Sequence, residues 1–418
     1  MRDRDLYAQI LGLTRPWSVI DVELDTSDEE VRVLVRHDGS ATLCCPECGR
    51  ASPGYDTRRR RWRHLDTCQY RTILIAETPR VMCAEHGVKQ VRVPWAEPGS
   101  SFTALYESLV IDWLKEASIA AVSRRLHLSW DEVDGIMQRA VTRGLERRRA
   151  EGEQAPARLG VDETSFAKRH EYVTVVTDLD AKEVLHVADD RTAGSLEAYY
   201  ESLGPGELER IEVVCMDMWQ PYITATRKRV PLGPGKIAFD KFHVAKHLGD
   251  AVDKVRRGEH RTLKREGDDR LTRTKYLWLA HPANIEEGTW RERFRWLRDS
   301  ALKTARAWAI KETAMGLWEY VSRGWARRAW RRWYGWAIRS RLEPVKRVAR
   351  MIRAHLEGII TAIVHRATNA GAESINAKIQ RVKRMACGYR NRQRFRHAIY
   401  FHLGGLDLYP RPSTHTDS

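Results

Sequence analysis

The sequence predicts an α/β protein: a mixed sheet interrupted by an all-helical insertion, preceded by a small cysteine-bearing strand module and a helix-turn-helix. Three observations predict it. Paired cysteine and histidine residues follow strand-like sequence near the start. A capping box opens a basic amphipathic helix between 118 and 149. Three strand-like runs, then alternating helix and strand, lead into a tryptophan-rich stretch without strand character. A chain of 418 residues has room for several such cores.

Residues 17–43 alternate apolar and polar positions (SVIDVEL, then VRVLVRHDG) between turn residues, and predict short strands. Cys45-Pro-Glu-Cys48 follows and, beyond more strand-like sequence, Cys83-Ala-Glu-His86. Two intervening residues let both members of a pair meet one ion from a tight turn, and two pairs complete a tetrahedron of sulfur and imidazole, the donor set of Zn2+. The module is therefore zinc-ribbon-like, and with four protein ligands its Zn2+ is structural. Cys44 and Cys68 are alternative ligands; Cys215 and Cys387 read as ordinary buried thiols. Seven cysteines, an odd number, do not form a secreted disulfide framework. The opening MRDRDLYAQILGL carries both charge signs and no long apolar run, and no such run occurs later. That predicts neither a signal peptide nor a membrane span, and a cytoplasmic, nucleoid-associated protein.

From 101 the pattern turns helical. Ile119–Leu126 predicts a short helix, His127-Leu128-Ser129 a tight connection, and Ser129-Trp-Asp-Glu132 a capping box that opens a longer helix. In that helix Val133, Ile136, Met137, Ala140 and Val141 share one face, which predicts that Gln138, Arg139, Arg143 and Arg147 face outward as a basic recognition surface for DNA. The charged stretch 146–153 with Gly152 and Pro156 marks a boundary.

Arg158–Phe166, Tyr172–Thr177, Glu183–Val187 and Ile211–Met216 predict strands, with a helix near Leu196 and a last short strand at Lys236–Phe239. Between Trp278 and Trp336 nine tryptophans lie among many arginines. They read as core residues of a helical bundle with a basic outer face, or as a surface that stacks on DNA. The expected organisation is a zinc-binding domain (1–100), a helix-turn-helix domain (101–153), two parts of a sheet domain (154–245 and 366–408) around the helical insertion (246–365), and a disordered tail (409–418).

Asp162 lies in the strand-like stretch LGVDETSF, where a charge is costly unless it binds something. Asp217 terminates the apolar run IEVVCM, at a sheet end where ligands gather. Glu373 shares a polar helix face with Asn369, Asn376 and Gln380, opposite Ile375, Ile379 and Val382. Three converging carboxylates repel one another, and divalent cations relieve that repulsion. After Glu373 comes a basic run that includes Lys383, Arg384, Arg390 and Arg392, suited to holding phosphates. Across the chain 72 lysines and arginines face 56 acids, a formal charge of +16 that favours a polyanionic partner.

CPEC with CAEHG, the helix-turn-helix, GVDETSF, VVCMDMWQPY, FDKFHVAKHL and TNAGAESINAKIQRVKRMACGYRNRQRFR together resemble the DDE transposases of bacterial insertion sequences, specifically those of the ISL-three family. The resemblance covers most of the chain. It implies a ribonuclease H-like fold, with Asp162, Asp217 and Glu373 as catalytic ligands of Mg2+ or Mn2+ and an insertion between the second and third. Asp240 and His243, in FDKFHVAKHL, are site-adjacent, as is Asn376. AGAESIN departs from the family's commoner glycine after the acid. The implied partner is double-stranded DNA, both element ends and target, bound by a homodimer or higher oligomer. The alternative is a DNA-binding regulator that has lost catalysis.

Overall fold

A computed structural model describes residues 3–39, 41–152, 155–167, 171–280, 284–285 and 288–411. It divides into two compact units: Met1–Glu153 with Arg384–Gly388 and Tyr400–Ser418, and Gln154–Lys383 with Tyr389–Ile399.

The first unit begins with helix α1 (Asp3–Ile10) and strands β1 (Trp17–Asp25), β2 (Glu30–His37), β3 (Gly54–Arg63), β4 (Arg71–Cys83) and β5 (Gly87–Gln90). These form one sheet in the order β1-β2-β4-β3, with β5 paired to β4. The alternation in β2 has its expected effect: Val31, Val33 and Val35 point to one side, into a core with Leu74, Ala76, Trp17, Trp62 and Trp95. Helices α2 (Ala104–Glu116), α3 (Ile119–Leu126) and α4 (Trp130–Ala150) follow. Each opens on a hydroxyl cap, from Thr103, Ser118 and Ser129. At Ser129 the capping box is complete: Ser129 Oγ accepts from the Glu132 amide at 3.2 Å, and Glu132 Oε2 accepts from the Ser129 amide at 2.7 Å. The turn between α3 and α4 passes through His127, whose φ of 54° is left-handed. Val122, Val133, Ile136, Ala140 and Val141 are fully buried, so the helix-turn-helix has the apolar seam its sequence predicts.

The second unit holds a mixed sheet. Its strands are β6 (Arg158–Ala167), β7 (Glu171–Asp178), β8 (Glu183–Ala188), β9 (Val213–Met216) and β10 (Ile237–Phe239), in the order β10-β9-β6-β7-β8. β6 to β8 are antiparallel, while β9 and β10 run parallel to β6. The crossovers are α5 (Ala193–Glu201) with α6 (Pro205–Arg210), and α7 (Gln220–Arg229) with the short α8 (Gly233–Lys236). Both faces are covered: Val214 and Met216 enter the main core, whereas Val213 and Cys215 pack with Ala238 and Ala362. That explains the unbroken apolar run ahead of Asp217.

Helices α9 (Lys241–Arg265), α10 (Lys275–Leu279), α11 (Thr289–Arg298), α12 (Lys303–Gly316), α13 (Arg323–Ile338), α14 (Glu343–Ala354) and α15 (Leu356–Val364) come next, then α16 (Ala370–Met385) and α17 (Arg392–Leu403). No strand occurs among the described residues from 241 to 365. The helices share one core with the sheet, in which Trp278, Trp330 and Trp333 join Val161, Met216 and Phe239. The boundary expected at 245 therefore falls inside α9, because Asp240 caps that helix directly from β10. Four of the nine tryptophans, Trp290, Trp296, Trp325 and Trp336, are exposed, so the core reading holds for only part of the set.

The chain end also departs from expectation. Residues 400–408 belong with the first unit, not with the sheet. Tyr409 is no loose tail: Arg147 donates to its carbonyl at 2.7 Å and Lys115 to its hydroxyl at 2.6 Å. The rest of the expected tail, 412–418, lies outside the described residues.

Candidate functional site

The Cys45, Cys48, Cys83 and His86 ligand atoms all lie within 4.8 Å of one another. The Cys48 and Cys83 sulfurs are 3.7 Å apart, and His86 Nδ1 lies 3.6 and 3.8 Å from the Cys83 and Cys45 sulfurs. Zinc–sulfur bonds near 2.3 Å give a tetrahedral edge of about 3.8 Å, so the donors fit one Zn2+. His86 Nε2 faces Glu47 at 3.5 Å, which leaves Nδ1 to the ion. Amides of Glu85 and His86 hold the Cys83 thiol down at about 6, favouring the thiolate that binds metal. Cys44 and Cys68 are exposed and outside the cluster. Cys215 is buried as expected. Cys387 is exposed instead, in a left-handed turn just past α16.

On α4 the outward basic face needs correction. Glu107 of α2 is fully buried; it accepts from Arg139 at 2.6 and 2.9 Å, from Arg143 at 3.1 Å and from Ser100 at 2.8 Å. Arg143 is itself only 8% exposed and also pairs with Glu97. A buried carboxylate demands such partners, and periodicity within α4 cannot reveal an acid on α2. Gln138 donates to Asp134 at 2.7 Å, and Arg147 pairs with Asp407 at 2.9 Å. The exposed cations of this motif are instead Arg124 and Arg125 on α3 and Arg149 at the end of α4.

In the second unit Asp162 sits on β6, the middle strand. Its Oδ1 accepts from the Glu163 amide and its Oδ2 from Asn376 Nδ2, both at 2.8 Å. Gln380, one turn beyond Asn376 on α16, donates to Thr164 Oγ1 at 2.7 Å. This close approach depends on Gly160: a Cβ there would meet Thr177 Oγ1 at 2.6 Å, Leu179 at 2.7 Å and Ala372 at 3.3 Å. Asp217 follows β9, and His243 Nδ1 lies 3.5 Å from its Oδ1. Burial pushes the Asp162 carboxyl up, and the charges of Asp217 and Glu373 push it further, against the opposing effect of His243. Asp162 thus lies within the field of both other acids. Glu373 is exposed on the first turn of α16.

Asp240 has a structural task. It is 4% exposed, caps α9 through the Phe242 amide at 3.1 Å and accepts from the Asn369 amide at 3.2 Å. Sequence reading missed a second group. Arg191 pairs with Glu163 at 3.0 Å and lies over Trp219 at 4.1 Å and Tyr172 at 5.2 Å. Burial raises the Glu163 carboxyl while Arg191 opposes it. Glu163 and Trp219 each lie within a quoted motif, but nothing local marks Arg191. Of the basic run, Arg384 and Arg390 are exposed. Lys383 donates to the Ser165 carbonyl at 2.8 Å, and Arg392 to the Asp189 carbonyl at 2.8 Å and to Glu171 at 3.2 Å, so those two are occupied within the fold. Among the exposed tryptophans, Trp290, Trp296 and Trp325 carry Arg293, Arg270 and Arg328 at 5.1–5.5 Å.

Three segments of the chain match known families. Residues 159–399 match the transposase family of the ISL3 DDE type, residues 91–141 the helix-turn-helix domain of transposase family ISL3, and residues 42–86 the zinc-finger of transposase IS204/IS1001/IS1096/IS1165. The transposase for insertion sequence element IS1557 of Mycobacterium tuberculosis is 30% identical, over 94% of each chain. The transposase for insertion sequence element IS1001 of Bordetella parapertussis is 27% identical, over 94% of this chain and 97% of its own. With a zinc-ribbon cluster, a helix-turn-helix and a mixed sheet carrying the matched segments in order, the chain belongs to the ISL3 family of DDE transposases.

Proposed function

We propose that this transposase binds the terminal inverted repeats of its element, cleaves there, and joins the freed ends to target DNA, with Asp162, Asp217 and Glu373 holding Mg2+ or Mn2+. The observation that carries the reading is the placement of these acids: Asp162 on β6 is held by Asn376 of α16, the helix that bears Glu373 in its first turn, and Asp217 follows the neighbouring strand β9. Their mutual repulsion makes the donor set fit a divalent cation. Among the described residues they do not gather as tightly as the zinc ligands; the reading takes two ions about 4 Å apart. Bound ions would activate the attacking hydroxyl and stabilise the leaving oxygen of an in-line phosphoryl transfer.

The chain's own residues prepare the site. Asn376 fixes the Asp162 carboxylate from α16, and Asp240 anchors the approach to that helix. His243 orients Asp217. Arg384, Arg390 and the arginine-backed tryptophans offer phosphate and stacking contacts. Residues 101–153 read the ends, through the exposed Arg124 and Arg125 and the half-buried Gln138, Arg139 and Arg147. Residues 1–100 serve as the zinc-binding support, and 154–245 with 366–399 as the catalytic part around the helical 246–365. Joining two ends requires at least a dimer.

The test is cleavage of element-end DNA with Mg2+ or Mn2+. Asp217→Asn is expected to lower the rate on the order of a thousandfold, with end binding and melting temperature unchanged. Cleavage at the wild-type rate would remove Asp217 from the set. End binding without cleavage by the wild type is the result expected of a regulator.

A further inference from the structure

Beside the sheet, on the far side of β10 from β6, lies a cavity of about 620 Å³. That volume is within the range of small-ligand sites. Its floor is apolar, formed by Phe239 of β10, Trp330 of α13 and Ile352 of α14. Its rim is basic: Arg227 of α7, Arg331 of α13 and Arg353 of α14. All three arginines are exposed. Arg353 lies over the ring of Tyr334, another lining residue, at 5.0 Å and donates to its hydroxyl at 3.2 Å, so guanidinium and aromatic face come as a set. The one acid in the lining, Glu357, is already answered outside it by Arg327 at 2.6 Å and Arg323 at 3.8 Å.

The first turn of α15 lines the cavity as well, at His355, where α14 ends and α15 begins. Gly358 lets α15 lie against Phe239, for a Cβ there would come within 2.4 Å of the ring. A small apolar floor beneath a rim of guanidinium groups, with the half-buried Tyr334 ring between them, suits a ligand with a flat ring and a phosphate.

The cavity is also placed for the reaction. Phe239 pairs in register with Met216, the residue before Asp217, on strands about 4.8 Å apart. The charge of Asp217 is felt at His355. A ligand on Phe239 therefore lies one strand away from the proposed carboxylates.

We propose that this cavity binds one deoxynucleotide, its base over the Phe239–Trp330 floor and Tyr334, its phosphate on Arg227, Arg331 and Arg353. The nucleotide is either free or an unpaired residue of the DNA strand being processed. The inference rests on the proposed function in taking DNA as substrate, but its test requires no cleavage.

Zinc-loaded full-length protein, without added Mg2+ or Mn2+, is titrated with a hairpin duplex ending in a short single-stranded tail whose last base is 2-aminopurine. The fluorescence of that base reports its own surroundings and not duplex binding elsewhere. It is expected to change saturably, with a midpoint raised at least tenfold by joint Arg227→Ala, Arg331→Ala and Arg353→Ala, and also by Tyr334→Ala. Arg261→Ala, on an exposed part of α9, serves as the control, and Arg227→Glu as a second single variant. Competition by dAMP marks the free nucleotide as a ligand; competition only by tailed DNA marks the strand. An unchanged midpoint in the triple variant overturns the proposal. So does competition by inorganic phosphate as strong as by dAMP with no effect of Tyr334→Ala, which would leave a simple anion site. Asp217→Asn should keep the signal, so failure of the carboxylate assignment is read separately by cleavage.

Discussion

The cysteine–histidine cluster and the carboxylate cluster differ in how far the fold alone satisfies them. In the first unit the metal-binding cluster and the buried acid of α2 have their answer within the fold. The zinc ligands stand within 4.8 Å, Glu47 orients His86, and buried Glu107 is met by Arg139 and Arg143. In the second unit burial, with the charges of Asp217 and Glu373, pushes the Asp162 carboxyl up. Among the described residues, Asn376 Oδ1 and both side-chain polar atoms of Asn369 are buried without a partner. The first arrangement stabilises a fold. The second leaves polar capacity open beside the carboxylates, which a substrate or ion can fill.

The sharpest way to break the comparison is to open the closed site. Chelation of zinc, or Cys48→Ala, should remove metal-linked stability of about 10 kcal/mol. Metal analysis should show zinc lost, and hydrogen exchange should show β3–β5 unprotected while β6–β9 stay protected. Equal loss of protection in both sheets would mean that the units do not fold separately.

Next in size is the buried ion network. Arg143→Ala leaves Glu107 and Glu97 short of a cation, at a cost of about 4 kcal/mol, read as a lower midpoint in urea. Adding Glu107→Gln should recover most of it. If Arg143→Ala instead weakens DNA binding at unchanged stability, the outward reading of α4 is restored.

A third test uses pH. Burial and neighbouring Arg63 push His64 down to about 4, and its Nδ1 lies 2.9 Å from the Thr103 hydroxyl that caps α2. Its folded value lies below the unfolded 6.5, so the unfolded chain takes up the proton first. The stability this histidine contributes is complete above about pH 6.5 and falls as pH drops towards 4, by about 3 kcal/mol in all. His64→Gln should flatten that slope for β3–β4 exchange.

The smallest expected effect is in the open site. Asn376→Ala frees the Asp162 carboxylate and should slow cleavage about tenfold while raising the metal concentration needed. A lower melting temperature with normal kinetics would make Asn376 merely structural.

What the sequence disclosed followed from how local each feature is. The zinc ligands come in two short-range pairs, and the Ser129–Glu132 box is three residues wide, so both are legible by eye. The strands of the second sheet are legible because their apolar runs are bounded by turns. Asp162 and Asn376 are 214 positions apart, and only the matched motifs suggested that they belong together. The roles of Glu107, Arg143 and Arg191 were not legible. Each depends on a partner supplied by another element, and amphipathic periodicity sorts residues by polarity without saying which polar ones will be paired inside.

One feature bears on the order in which the protein is made. Arg143, Arg147 and Arg148 of α4 donate to the carbonyls of Leu408, Tyr409 and Gly404, and Leu406 fills the space that the missing side chain of Gly144 leaves. The ribosome produces Gly404 256 residues after Arg148, with the whole second sheet in between. Helix α4 is therefore finished last, although it is synthesised early. A chain interrupted before residue 400 carries the whole helix-turn-helix sequence but an α4 still lacking its final contacts, so incomplete products should compete poorly for the DNA that the proposed function assigns to it.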